Sequence, residues 1–223
     1  MYKVYIGMLY TSKGLHEAYN PLQYIMANLT SELEAVNTIL STTGQAPVNS
    51  LSTSRSDVRI AQNLIDEASR EVQLQGWNFN TEYDVELSTD TSDEITLPVN
   101  ILRFDLNREY RGQIRPVMRG TRLYDVKKRR YTFPDHDMLK ATVIYLLEFT
   151  ELPEAARRYI TVKAARMYQQ RFLGADELIR YSAQDEMKAK SDLLRHETDT
   201  GNYTIFDEYG RRTTDNRYRN WRR

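Results

Sequence analysis

The sequence predicts an α+β fold: a helical bundle of about four helices with an inserted antiparallel β-rich domain and an extended C-terminal arm. Three observations carry that prediction. Apolar residues recur at spacings of three and four in segments towards both ends of the chain, which is the pattern of a helix with one buried face. Between them, from Glu82 to Phe104, apolar and polar residues alternate as they do in half-buried strands. After Gly201 both periodicities vanish among Asn, Thr and Arg, so nothing there can build a core and an extended arm is expected. The divisions that follow are an N-terminal extension at 1–30, bundle segments at 31–80 and 150–199, a β-rich insertion at 81–149 and the arm at 200–223.

The elements follow in order. Ser31 and Glu34 form a capping-box pattern ahead of Leu33, Val36 and Leu40, and Gly44 then Pro47 end this first helix. Val58, Ala61, Ile65, Ala68 and Val72 make one stripe of a second helix from Asp57 to Gln75, stopped by Gly76. Alternation in Tyr83, Val85 and Leu87 predicts a strand, and a further extended run passes through Ile95, Leu97, Ile101, Leu102 and Phe104. Gly120 predicts a turn between short strands within Ile114–Phe133, with Lys127–Arg130 at a second hairpin turn. The apolar run Thr142–Phe149 fits a strand or a helix equally, because periodicity does not separate them. Pro153 suits the first turn of a third helix whose apolar face holds Ala156, Tyr159, Ile160, Ala164, Met167 and Tyr168. Beyond Gly174, Asp176 and Glu177 open a fourth helix, with Ile179, Ala183, Met187 and Leu194 as its stripe up to about His196.

Composition narrows the chemistry. In 223 residues, 31 Lys and Arg balance 31 Asp and Glu, which argues against a wholesale nucleic-acid or membrane binder. The balance is segmental. Ser31–Tyr110 holds 14 acidic residues against 5 arginines, Arg111–His136 holds 8 basic against 2 acidic, and Gly201–Arg223 holds 6 arginines against 3 acids. With no cysteine, disulfides, thiolate metal sites and cysteine nucleophiles are excluded, and histidine is limited to His16, His136 and His196. No apolar run approaches the roughly 20 residues that span a bilayer, and no secretion signal is read at the N-terminus. The 16 tyrosines suit interfaces, although a Tyr-rich core or sheet is the commoner cause.

Catalytic candidates are few. Glu82, Asp84 and Glu86 alternate on a strand, which would place them on one face as a glycosidase carboxylate pair requires, but an acidic solvent-facing strand explains them as well. Asp135-His136-Asp137 reads better as a solvated turn than as a metal or acid–base site, since adjacent residues point different ways. Phosphate loops, dinucleotide fingerprints and the Gly-x-Ser-x-Gly elbow do not occur. No catalytic, metal or cofactor-binding residue is assigned. The basic hairpin of Lys127, Lys128, Arg129 and Arg130, flanked by Tyr124 and Tyr131, could contact phosphates with aromatic support. A solvated hairpin or a charge-paired subunit interface is the favoured alternative. The terminal Arg211, Arg212, Arg217, Arg219, Arg222 and Arg223, interleaved with Tyr209, Tyr218 and Trp221, carry hot-spot chemistry in a segment without a core. Such a segment orders by docking on a protein or nucleic-acid partner, or stays an idle tail.

Specific stretches then matter more than periodicity. Residues Glu34–Leu51 (EAVNTILSTTGQAPVNSL) and Asp57–Glu82 (DVRIAQNLIDEASREVQLQGWNFNTE) resemble the tail tubular protein A family of short-tailed bacteriophages. Arg122–Asp125 (RLYD), Phe149–Gly174 (FTELPEAARRYITVKAARMYQQRFLG) and Thr200–Asp207 (TGNYTIFD) resemble it in the same order, so the resemblance spans about Ser31 to Asp207. It implies a structural virion protein, not an enzyme and without cofactors. This would be the adaptor ring joining portal to tail nozzle and forming part of the channel for DNA ejection.

Implied partners are further copies of the chain in a dodecameric ring, the portal protein, a tail tubular protein B-like nozzle and, as a further candidate, tail fibres. Viral DNA would pass through the lumen without specific binding, helped by acidic residues facing the channel, and no membrane is involved. The place is the virion tail, after synthesis in the host cytoplasm. The resemblance implies portal binding by Tyr203, Ile205, Phe206, Tyr209, Arg211, Arg212, Arg217, Arg219 and Trp221. Lys127, Lys128, Arg129, Arg130 and Tyr131 are expected at a subunit or nozzle interface. The helices would build the ring wall, with the Ala-rich face of the third allowing close packing. A tail-associated glycan or cell-wall hydrolase using a carboxylate pair is the alternative. Residues 1–25 have no counterpart in the resemblance. Either translation starts at Met26 or, as favoured here, the Tyr-rich extension adds a contact to another virion protein.

Overall fold

The computed structural model describes residues 29–110, 112–172 and 176–201. Residues 1–28 of the N-terminal extension and the arm from residue 202 lie outside the described residues. The expected α+β fold is found: four helices, α1 (Glu32–Ser41), α2 (Ser56–Gln73), α3 (Glu154–Phe172) and α4 (Asp176–Gly201), flank five strands. The strands are β1 (Thr81–Ser88), β2 (Ile101–Leu106), β3 (Pro116–Arg119), β4 (Arg122–Asp125) and β5 (Met138–Tyr145).

The capping box of α1 is complete: the Ser31 hydroxyl accepts from the Glu34 N–H at 3.2 Å, and Glu34 accepts from the Ser31 N–H at 2.7 Å. Its buried face is Ala35, Val36, Ile39 and Leu40, with Leu33 only half-buried. Val58, Ala61, Leu64, Ile65, Ala68 and Val72 of α2 meet that face. The third helix lies against α1, α2 and α4. Its antiparallel run beside α2 is marked by Arg171 on Glu67 and Lys163 on Glu71, at 3.0 and 2.6 Å. Ala156, Ala164 and Ala165 are buried inside the chain's own core, so the Ala-rich face is used within the subunit.

Two expectations about the helices change. Pro153 directly precedes α3 and supplies the carbonyl that accepts from the Ala156 and Arg157 N–H groups. In α4 the residues packed against the bundle are Ala189 and Leu193, whereas Met187 and Leu194 are 70% and 42% exposed. Met187 sits two residues from Ala189, about 200° round the helix, so Met187 and Leu194 lie off the flank that packs on the bundle. The helix also runs on to Gly201, beyond the predicted end near His196.

The apolar run at 142–149 divides: 142–145 end β5, the central strand of a three-stranded antiparallel sheet of order β1-β5-β2, and 146–149 leave the sheet towards a 3-10 turn at Phe149–Glu151. The expected continuous extended segment from Ile95 to Phe104 is broken at Pro98–Asn100, so that Ile95 and Leu97 lie beside β4 and only Ile101–Leu106 joins the sheet. Strands β3 and β4 form a separate hairpin. Leu87, Ile95, Leu97, Ile101, Ile114, Leu123, Phe133, Leu139, Ala141 and Val143 make a second core, distinct from the helical one. No helix among the described residues is long and apolar enough to cross a membrane.

Candidate interface on the basic hairpin

Strands β3 and β4 turn at Gly120, whose φ of 61° suits a residue without Cβ. Their register sets Pro116 opposite Asp125, Val117 opposite Tyr124, Met118 opposite Leu123 and Arg119 opposite Arg122. Opposed residues share a face and successive residues alternate. Leu123 and Asp125 therefore point inward, where both are fully buried, and Val117, Arg119, Arg122 and Tyr124 share the outward face. The chain turns again at 126–129, closed by an antiparallel bridge between Asp125 and Arg130. That turn brings Tyr131 edge-on to Tyr124, ring centroids 4.9 Å apart. The Arg119 guanidinium lies 3.6 Å above the Tyr124 ring and that of Arg122 4.4 Å above Tyr131. Four side chains thus form one platform.

Acidic groups hold the turn from below. Asp125 accepts from the backbone N–H groups of Arg115 and Lys127 at 3.1 and 2.9 Å. Asp135 receives Lys128 Nζ at 2.6 Å and Arg130 at 3.1 Å. The Lys128 hydrogen bond, then its charge, with Arg130 behind, holds the Asp135 carboxyl below its ordinary range. Arg122 bonds Glu94 at 2.9 Å, and Lys127 donates to the Gly112 carbonyl. Arg129, at φ 55° on the exposed tip, makes no ion pair among the described residues. A shallow concavity of about 390 Å³ lies beside the hairpin, lined by Gly112, Ile114, Arg115, Val126 and Lys127.

The chemistry follows from geometry. A guanidinium stacked on a ring can still grip a carboxylate or phosphate through its N–H edges, and Arg122 already does so with Glu94. Each tyrosine has one face occupied by an arginine, which leaves less ring surface for stacking bases. Lys127, Lys128, Arg129, Arg130 and Tyr131 all fall in this hairpin, with the predicted turn in place. Arg119 and Arg122 were absent from the sequence-predicted interface. Treating Gly120-Thr121 as a two-residue hairpin loop would have placed them opposite each other.

The carboxylate triad is not brought together. A bulge between Glu82 and Val85, with Asp84 at φ 54°, shifts the register so that Glu82 pairs with Val143 and Glu86 with Lys140. Val143 and Lys140 are three residues apart on β5, so Glu82 and Glu86 project to opposite faces of the sheet. Asp84 instead accepts from Asn107 at 2.6 Å, and Glu86 lies 3.5 Å from Lys140. His136 packs edge-on to Tyr110 while Asp135 serves the hairpin, and no group of three potential metal ligands gathers among the described residues. Tyr203, Ile205, Phe206, Tyr209, Arg211, Arg212, Arg217, Arg219 and Trp221 lie outside the described residues.

A family model described as tail tubular protein matches residues 33–203, most of the chain, from the first turn of α1 past the end of α4. No curated protein matches the chain.

Proposed function

The chain belongs to the tail tubular protein family, and from that premise we propose that it is the adaptor ring between portal and tail nozzle of a short-tailed phage. It is a structural component of a phage tail, located in the virion tail. In the proposed arrangement twelve copies close into a ring, the portal sits on one side and a tail tubular protein B-like nozzle on the other, with tail fibres nearby. DNA passes through the lumen past acidic side chains and is not gripped there. The arm carrying Tyr203, Ile205, Phe206 and the arginines reaches the portal, and the hairpin of Lys127–Tyr131 contacts another tail component.

The family match over residues 33–203 is the observation that carries this reading. The hydrolase alternative loses its sequence support, because the register separates Glu82 from Glu86. The test is the mass of the assembled particle when the full chain is mixed with portal protein, measured beside a chain truncated after Tyr209. A dodecamer on the portal, reduced or lost on truncation, is expected. A wild-type chain that stays monomeric with portal present overturns the ring; undiminished attachment of the truncated chain overturns the role of the arginines and Trp221 beyond Tyr209.

A further inference from the structure

We propose that the Arg119–Tyr124–Tyr131–Arg122 platform and the Arg129 tip dock on a carboxylate-bearing surface of a second copy of this chain, as the positive half of a head-to-tail contact. The proposal rests on the ring reading above and selects, for this hairpin, the neighbouring subunit rather than the nozzle.

Four observations carry it. First, the platform is built before any partner arrives. Two cation–π stacks, an edge-on tyrosine pair and the Arg122–Glu94 ion pair already fix its side chains, and the Asp125 and Asp135 clamps hold the turn beside them, so binding forfeits little rotamer freedom. Second, Arg and Tyr are the residues that concentrate binding energy in protein interfaces. Third, apolar surface adjoins the cations: half-buried Val117 shares the platform's outward face, and Val126, next to Lys127 on the turn, is 37% exposed. Apolar contacts gain from burial against a protein and gain nothing from a phosphate backbone.

Fourth, the complement is in the same chain. The acidic excess between Ser31 and Tyr110 opposes the basic excess between Arg111 and His136, and the whole chain sums to zero. A two-fold contact of hairpin on hairpin would set cations against cations, which costs free energy. The favourable pairing sets the hairpin on a different, acid-bearing patch of the next copy, and under the ring reading that contact is heterologous, the class that closes into rings.

The experiment mixes light and ¹⁵N-labelled full-length chains, assembles them with portal, and joins touching amines and carboxylates with a zero-length carbodiimide. Light–heavy links from Lys127 or Lys128 to acids between Glu32 and Glu109 are expected. In parallel, the triple variant Arg119→Glu/Arg122→Glu/Arg129→Glu should weaken self-association by about 30-fold or more. Arg129→Glu alone, which disturbs neither stack nor clamp, should weaken it in the same direction and guard against misfolding of the triple variant. Rings that form normally from both variants, with hairpin links confined within single chains, overturn the inference and leave the ring reading standing. When nozzle protein is added to the same assembly, links from the hairpin lysines to it in place of the light–heavy links overturn the inference likewise. Salt-dependent binding of duplex DNA that the variants abolish, with rings intact, reassigns the hairpin to nucleic acid. A wild-type chain that never forms a ring removes the ring reading, and this inference with it.

Discussion

Replacing Gly76 by alanine should damage this protein more than the same change at Gly44, and the difference can be worked from the coordinates. Both glycines follow a helix with positive φ, +76° and +73°. Holding an L-residue there costs about 1–2 kcal/mol, and both sites share that cost. A Cβ on Gly44 meets nothing within 4 Å, whereas one on Gly76 would lie 2.7 Å from Ile144 Cδ1 and 3.5 Å from Thr81 Oγ1. Ile144 is 2% exposed on the central strand, so its Cδ1 has little room to retreat. Overpacking of this kind adds about 1–3 kcal/mol. Gly44→Ala should therefore cost about 1–2 kcal/mol, and Gly76→Ala about 2–5 kcal/mol.

Ile144→Val removes the clashing methyl at a cost of about 1 kcal/mol, so the double variant should be more stable than the two single losses predict, by about 1–2 kcal/mol. Urea unfolding of the full chain, followed by far-UV circular dichroism, reads all four values. Equal losses at Gly44 and Gly76, or strict additivity with Ile144→Val, would refute the steric reasoning.

Two further outcomes follow from buried and capping charges. Arg157, 5% exposed, donates to the carbonyls of Leu152 and Thr30 at 2.8 and 2.9 Å and to that of Thr150, tying the chain before α1 to the start of α3. Arg157→Met should cost about 2–4 kcal/mol in urea unfolding, and Arg157→Lys should recover little, because an ammonium cannot span the three acceptors; full recovery by lysine would contradict this. The Asp57 carboxyl is held below its ordinary range first by its hydrogen bond to Arg55, and that of Glu34 by hydrogen bonds to the Ser31 backbone and side chain. A carboxyl lowered in the folded state stabilises it fully above its unfolded value near 4 and loses that effect as pH falls through the folded value. The melting temperature of Asp57→Asn/Glu34→Gln should thus lie below wild type at pH 7, with the gap closing below about pH 4; a gap unchanged at pH 3 would contradict it.

Local rules made some elements legible and left others obscure for identifiable reasons. The α1 start could be read because a capping box is a contact between residues three apart. β5 could not be told from a helix, because its alternation over Met138–Val143 gives way at Val143 and Ile144 to consecutive apolar residues that run past the strand into Leu146 and Leu147. The bulge in β1 had no glycine to announce it; Asp84 takes the positive φ instead. One unseen bulge was enough to scatter a carboxylate triad that looked aligned. In α4, Met187 and Leu194 shared a stripe, but stripe membership does not say which of two apolar faces meets α3, and Ala189 and Leu193 occupy that face. The hairpin's charge was visible in composition. Its platform was not, since Arg119, Tyr124, Arg122 and Tyr131 converge only once two successive turns fix the register.

The platform sits on one core and the helices on another, so its use as a contact depends on the join between them. Hydrophobic burial alone is a poor join, being non-directional. Here the join is polar and directional. Fully buried Gln73 on α2 accepts from the Leu147 N–H at 2.8 Å and donates to the Leu147 carbonyl at 2.9 Å, imitating a strand pair after β5. Asn80 donates to the carbonyls of Gln73 and Tyr145 at 2.9 and 2.8 Å, and its own carbonyl accepts from the Trp77 N–H. Rotation of sheet against bundle would break several of these bonds together, leaving buried amides unpaired at about 1–3 kcal/mol each. Gly76 tightens the same seam by letting Ile144 approach the backbone. A subunit that must meet identical neighbours at a repeated angle gains from such a seam, because a small rotation within each copy would be multiplied around a closed ring. The polar seam therefore supplies what the two apolar cores cannot: a fixed bearing for the hairpin relative to the helices.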